Sequence, residues 1–66
     1  MKYSIEQARI ISGLTPRQMA KILRVSEKSY LQYEKYEKTF RMDQAYAFSQ
    51  ITKITLEQIK FQSFHK

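Results

Sequence analysis

Two helix-start signals, Thr15 and Ser26, stand eleven residues apart near the middle of this chain, and the short turn between them leaves the backbone little freedom. Thr15-Pro16-Arg17-Gln18 is a capping box with proline at the first helical position. The threonine hydroxyl can accept from the N–H three residues on, the glutamine can reach back, and the N–H that proline lacks is one the helix would leave unpaired anyway. Ser26 caps a second helix running through about Glu34, and Leu23-Arg24-Val25 is the turn between the two. Met19, Ala20 and Leu23 are the apolar positions of the first helix, and Tyr30 and Tyr33 point inward from the second. Ala20 is small enough for two helices to cross closely. Glu27, Lys28, Leu31, Gln32 and Lys35 fall on the other side of the second helix.

Elsewhere apolar residues recur at spacings of three and four, with one glycine, one proline and no strand-like alternation. Ser4 and Gln7 form a capping box for a helix whose inward stripe is Ile5, Ala8 and Ile11, with Ile10 beside it, and Gly13 ends that helix. Residues 35–40 read as a charged loop. A fourth helix is predicted over Met42–Ile51, with Met42, Ala45, Phe48 and Ile51 inward. Thr55-Leu56-Glu57-Gln58 reads as a third capping box opening a short last helix, with Leu56, Ile59 and Phe61 inward, and residues 63–66 are expected to fray. The expected fold is all-α: one compact five-helix domain over residues 1–66. A chain this small buries only about 60% of the surface its unfolded form exposes. It has no cysteine for a disulfide or a thiolate zinc site. Tight helix packing, dimerisation or both must stabilise it.

The net charge is +6. Residues 17–41 carry seven cations against three carboxylates, so most of the excess lies on the helix pair and the loop after it. A localised basic surface attracts polyanions; the plainer reading of the same charge is solubility. No apolar run approaches the ~20 residues of a membrane span, and the first residues lack the apolar stretch of a signal peptide. A soluble, cytoplasmic protein is expected, with no membrane partner. Catalysis is not expected: there is no glycine-rich phosphate loop, no nucleophile–histidine–carboxylate set and no metal-spaced cluster. The lone histidine, His65, reads as a tail residue. No cofactor, metal or small-molecule ligand is expected.

Leu14-Thr15, Met19-Ala20, Leu23, Val25-Ser26, Tyr30 and Tyr33-Glu34, followed by a fourth helix and the Ile54-Thr55-Leu56 stretch, resemble the Cro/repressor-type (XRE-like) helix-turn-helix family over about residues 5–61. The helix-turn-helix itself would cover about 15–35, with residues about 27–35 as the recognition helix in the major groove of DNA. The resemblance implies a sequence-specific transcriptional regulator of double-stranded operator DNA, a dimeric repressor of the phage or mobile-element type. It implies that Ser26, Glu27, Lys28 and Gln32 face the groove. Lysine suits guanine O6 and N7, glutamine suits adenine N6 and N7, glutamate can accept from cytosine N4, and Leu31 can meet a thymine methyl. Thr15, Arg17, Lys35, Lys38 and Arg41 are implied to lie along phosphates, which position a protein without reading sequence. Arg9 and Glu34 are implied as a structural ion pair. Phe61 and Phe64, costly to leave in water, are candidates for a dimer contact, with packing inside one chain as the alternative.

The chain also departs from that pattern. Arg24 stands where the turn commonly has glycine; a left-handed arginine costs about 1 kcal/mol or more, so either the turn is shaped differently or the arginine gains something there, such as a phosphate contact. Lys35-Tyr36 replaces the glycine after the third helix, and Phe40 the proline before the fourth. Helix three then has the option of running one turn longer, through Tyr36. The rival function is a protein-binding module on the same fold, an adaptor, antitoxin-like partner or inhibitor, for which an exposed Leu31, Tyr36 and the C-terminal phenylalanines would serve. A single domain of a larger regulator is a further possibility.

Overall fold

The computed structural model describes residues 2–62. Four helices carry most of the chain: α1 (Ile5–Ser12), α2 (Pro16–Leu23), α3 (Glu27–Glu34) and α4 (Met42–Thr52). The two-residue strand β1 (Tyr3–Ser4) precedes α1, and a single 3-10 turn (Leu56–Gln58) leads into β2 (Ile59–Lys60). The strands pair in parallel, with Tyr3 opposite Ile59 and Ser4 opposite Lys60.

The caps form where the side chains dictate. Ser4 Oγ accepts from the Gln7 N–H at 3.0 Å and Gln7 returns its side-chain oxygen to the Ser4 N–H at 2.9 Å. Thr15 and Gln18 repeat this at 3.1 and 2.9 Å, and Ser26 caps α3 through the Ser29 N–H at 3.0 Å. Each satisfies donors that a helix start leaves orphaned.

Three helices end in the same device. Gly13, Arg24 and Tyr36 are left-handed, at φ 81°, 62° and 61°. Their N–H groups, and those of the residues after them, turn back onto the helix they close: Gly13 to Ile10 and Leu14 to Arg9, Arg24 to Lys21 and Val25 to Ala20, Tyr36 to Tyr33 and Glu37 to Gln32. This double bond pattern satisfies the last carbonyls of a helix. Only one of the three is glycine. Tyr36 therefore closes α3 two residues after Glu34, and the longer third helix does not form. What holds Tyr36 is its hydroxyl, which donates to the Lys60 carbonyl at 2.6 Å and accepts from the Ile5 N–H at 3.3 Å.

Ile5, Ala8, Met19, Ala20, Tyr30, Tyr33, Phe40, Ala45, Phe48, Ile54 and Ile59 form one buried core. Its aromatic centre stacks Tyr33 on Phe40 with ring centroids 4.4 Å apart. Several sequence expectations require correction. In α1 the inward stripe is Ile5, Ala8 and Arg9; Ile10 and Ile11 are each 58% exposed. Position 9 takes the inward place because Glu34 can neutralise and bond an arginine there. Met42 is 77% exposed at the first turn of α4, whose buried line is Ala45, Phe48, Ser49 and Thr52. The expected fifth helix is only the 3-10 turn: Thr55 makes no side-chain cap bond, and Ile59, 2% exposed, is drawn into β2 instead. Leu56 is consequently exposed.

Phe61 is half-buried. Its ring lies 6.0 Å from Phe40 and 6.2 Å from Phe48, edge-on, so it packs within its own chain. Phe64 and His65 lie outside the described residues. No helix among the described residues is long and apolar enough to cross a membrane.

Candidate nucleic-acid interface

Arg9, Tyr30 and Glu34 tie α1 to α3. Glu34 Oε2 accepts from Arg9 Nε and from the Tyr30 hydroxyl, both at 2.5 Å, and Arg9 donates a further bond to the Leu14 carbonyl at 3.0 Å. The Arg9 and Glu34 side chains keep only 10% and 8% of their exposure. The expected ion pair is therefore present, with a tyrosine that the sequence reading assigned only to the core as its third member. The bond to Glu34 raises the Arg9 guanidinium above its usual value. Burial, and then the bond to Glu34, push the Tyr30 hydroxyl far above the usual tyrosine range. The network fixes the roll of α3 about its own axis and so decides which residues face outward.

Glu27, Lys28, Leu31, Gln32 and Lys35 border one shallow hollow of about 400 Å³ together with Glu37. Their common face was legible from helical spacing. Leu31 and Gln32 are half-buried, and the other four are exposed. Arg17 meets α3 across a second hollow, shared with Ala20, Lys21, Val25 and Glu27. Arg24 and Arg41 border a third, with Val25, Asp43 and Gln44. Glu27 belongs to the first and second hollows, and Val25 to the second and third. The three are thus continuous, a band from the start of α4, across the α2–α3 turn, to the end of α3. Six cations and three carboxylates border it.

Thr15, Ser26 and Lys38 are exposed but border none of these hollows. The Thr15 and Ser26 oxygens already accept cap bonds, which leaves their hydroxyl protons to donate. Arg41 Nε sits 3.4 Å from an Asp43 oxygen, in an exposed pair that competes weakly for it. Lys21 was missed. Its signal was present, since it follows Arg17 by one helical turn and so shares its face.

The band suits polyanion binding. Guanidinium and ammonium groups flank it, and α3 offers a donor (Lys28), a two-way amide (Gln32) and an acceptor (Glu27) side by side. Two features that would favour a protein ligand there are weaker than the sequence implies: Leu31 is half-buried, and the Tyr36 hydroxyl is spent on the backbone. Among the described residues no group of three or more histidine, cysteine, aspartate or glutamate side chains gathers as for a metal. The chain matches no protein-family model, no curated protein and no solved structure.

Proposed function

We propose that this protein is a sequence-specific double-stranded DNA-binding regulator of the Cro/repressor-like type, a repressor that uses α2 and α3 as a helix-turn-helix. In this reading α3 lies in the major groove. Lys28 and Gln32 read purine edges, Glu27 accepts from cytosine, Leu31 meets thymine methyls, and Ser26 donates its hydroxyl proton at the rim. Arg17, Lys21, Arg24, Lys35 and Arg41 neutralise the phosphates on either side, and Thr15 and Lys38 extend that line. The observation that carries the reading is the continuity of the band: the polar outer face of α3 adjoins, through Glu27 and then Val25, the cations contributed by α2, the turn and the start of α4. Phosphate contacts beside the base contacts hold a recognition helix in register. Arg24 fits the same account, because an arginine left-handed at φ 62° occupies a place where glycine is less strained. A phosphate contact supplies the reason to keep it.

The test is selection of bound sites from a random duplex pool at near-physiological salt. Enrichment of a defined sequence is expected. With that sequence in hand, Gln32→Ala relaxes preference at one or two positions, whereas Arg17→Ala weakens binding evenly on all sequences and lowers the salt slope by about 1. Absence of any enrichment, with only weak salt-sensitive binding, refutes sequence-specific recognition.

A further inference from the structure

We infer that the groove between the start of α4 and β2 binds an anionic amphiphile, a fatty-acid-like molecule with one apolar chain and one carboxylate. The groove holds about 530 Å³, within the usual range for small-molecule sites. Phe40, Ala45 and Ile59, all buried, and the half-buried Phe61 floor it, and the exposed side chains of Met42 (77%) and Leu56 (37%) stand at its rim. No sequence pattern announces this groove, because its lining comes from residues 2, 39–45 and 56–62, which only folding brings together. A lone exposed methionine would need no explanation, but two large apolar side chains beside an apolar trough on so small a molecule do.

The charges decide what kind of head the ligand carries. Among the described residues, the charged ones at the groove are Lys2 and Lys60, and no carboxylate borders it. Lys60 pairs with Ser4, two residues on from Lys2, so the two ammonium groups enter the groove from the same strand pair. Both lysines are exposed, so an anionic head held between them stays at the edge of the water while its chain covers the apolar floor. The same charges disfavour a larger occupant. An acidic amphipathic helix needs apolar contacts over two turns or more. Laid along the apolar rim, it crosses Leu56 into the neighbouring groove, where the charged residue is Glu57. A single acyl chain stays within the first groove and meets cations alone.

The groove takes no residue from α2 or α3, so the inference stands independently of the DNA-binding reading.

The experiment is calorimetric titration of the full chain with dodecanoate below its micelle concentration, with amide NMR shifts to place the ligand. One equivalent is expected to bind with a Kd on the order of 100 μM, moving signals from residues 39–45 and 56–62. Octanoate, with fewer methylenes to bury, binds about tenfold more weakly. Dodecyltrimethylammonium, with the same tail and the opposite charge, also binds about tenfold more weakly. Lys2→Gln, Lys60→Gln and Met42→Asp each weaken dodecanoate several-fold with an unchanged helical circular-dichroism spectrum. Lys53→Gln, which removes an exposed cation outside the groove, leaves its affinity unchanged. No saturable binding up to millimolar dodecanoate overturns the inference. Binding of several equivalents, or shifts centred on the α2–α3 band, overturns it too, because either marks general attraction of an anion to a basic protein. Equal affinity for the cationic amphiphile removes the role given to the lysines and refutes the assignment. Binding to phosphatidylglycerol vesicles with none to free dodecanoate also refutes it, and makes this face a membrane contact. DNA recognition is decided separately, since Lys2→Gln and Lys60→Gln leave the α2–α3 band intact.

Discussion

Replacing Glu34 by glutamine tests the central packing argument. The substitution keeps the shape and one acceptor but removes the charge that balances Arg9. Both side chains are about nine-tenths withdrawn from water, so solvent offers little compensation. Removing one partner of a buried ion pair costs about 3–5 kcal/mol. Glutamine can still accept from Arg9 Nε or from the Tyr30 hydroxyl, although not as strongly as a carboxylate accepting from both, and Arg9 keeps its bond to the Leu14 carbonyl. A loss of about 2–3 kcal/mol is therefore expected for Glu34→Gln. For a domain of this size the whole stability is about 3–10 kcal/mol, and each kcal/mol moves Tm by about 4–8 °C. Urea unfolding followed by circular dichroism reads the change as a lower midpoint at constant slope. The triple replacement Arg9→Met, Tyr30→Phe and Glu34→Leu, which removes both charges and the hydroxyl bonded to them, should recover most of the loss. A Glu34→Gln protein within about 0.5 kcal/mol of wild type would refute the claim that this network holds α3 against α1.

Tyr30→Phe should cost about 1.5–3 kcal/mol at neutral pH by removing one bond to a carboxylate. It should also flatten the alkaline limb of the stability profile. Because folding raises the Tyr30 pKa, its contribution is complete below the unfolded value near 10 and is lost as pH rises above it. Arg24→Gly should stabilise the fold by about 0.5–1 kcal/mol by relieving a left-handed non-glycine residue while weakening binding to all DNA sequences, measured as denaturation midpoint against duplex affinity. Tyr36→Phe strips the Lys60 carbonyl and the Ile5 N–H of their shared partner, and should cost about 1 kcal/mol and speed hydrogen exchange at β1–β2 first.

The starts of α1, α2 and α3 were legible because capping is settled within three residues of sequence. So was the outer face of α3, because helical periodicity alone puts Glu27, Lys28, Leu31, Gln32 and Lys35 together. The end of α1 at Gly13 was equally plain. The same local reasoning misread Thr55. A threonine three residues before a glutamine looks like a helix start, but Ile59 gains more by pairing beside Tyr3 and burying its side chain than by extending one helical turn. It misread Ile11 and Met42 for a related reason. A stripe of apolar residues at spacings of three or four does not say which of two overlapping stripes faces the core, and in α1 the deciding residue was a charged one. The band of cations was legible as a charge excess, but not as a band: only folding sets Arg41 beside Arg24, and Arg17 and Lys21 beside Glu27.

By itself, then, the sequence determined where three helices begin, where the first must stop, and that a helix with a polar outer face would follow the one opened by Thr15-Pro16, because each of these rests on hydrogen bonds and sterics inside a few consecutive residues. Only the tertiary structure decided that residues 59–60 become a strand, that Tyr36 takes a left-handed bend, and that Arg9 is buried. Each of those depends on a partner far away in the chain, Tyr3, Lys60 or Glu34, whose proximity no local interaction encodes.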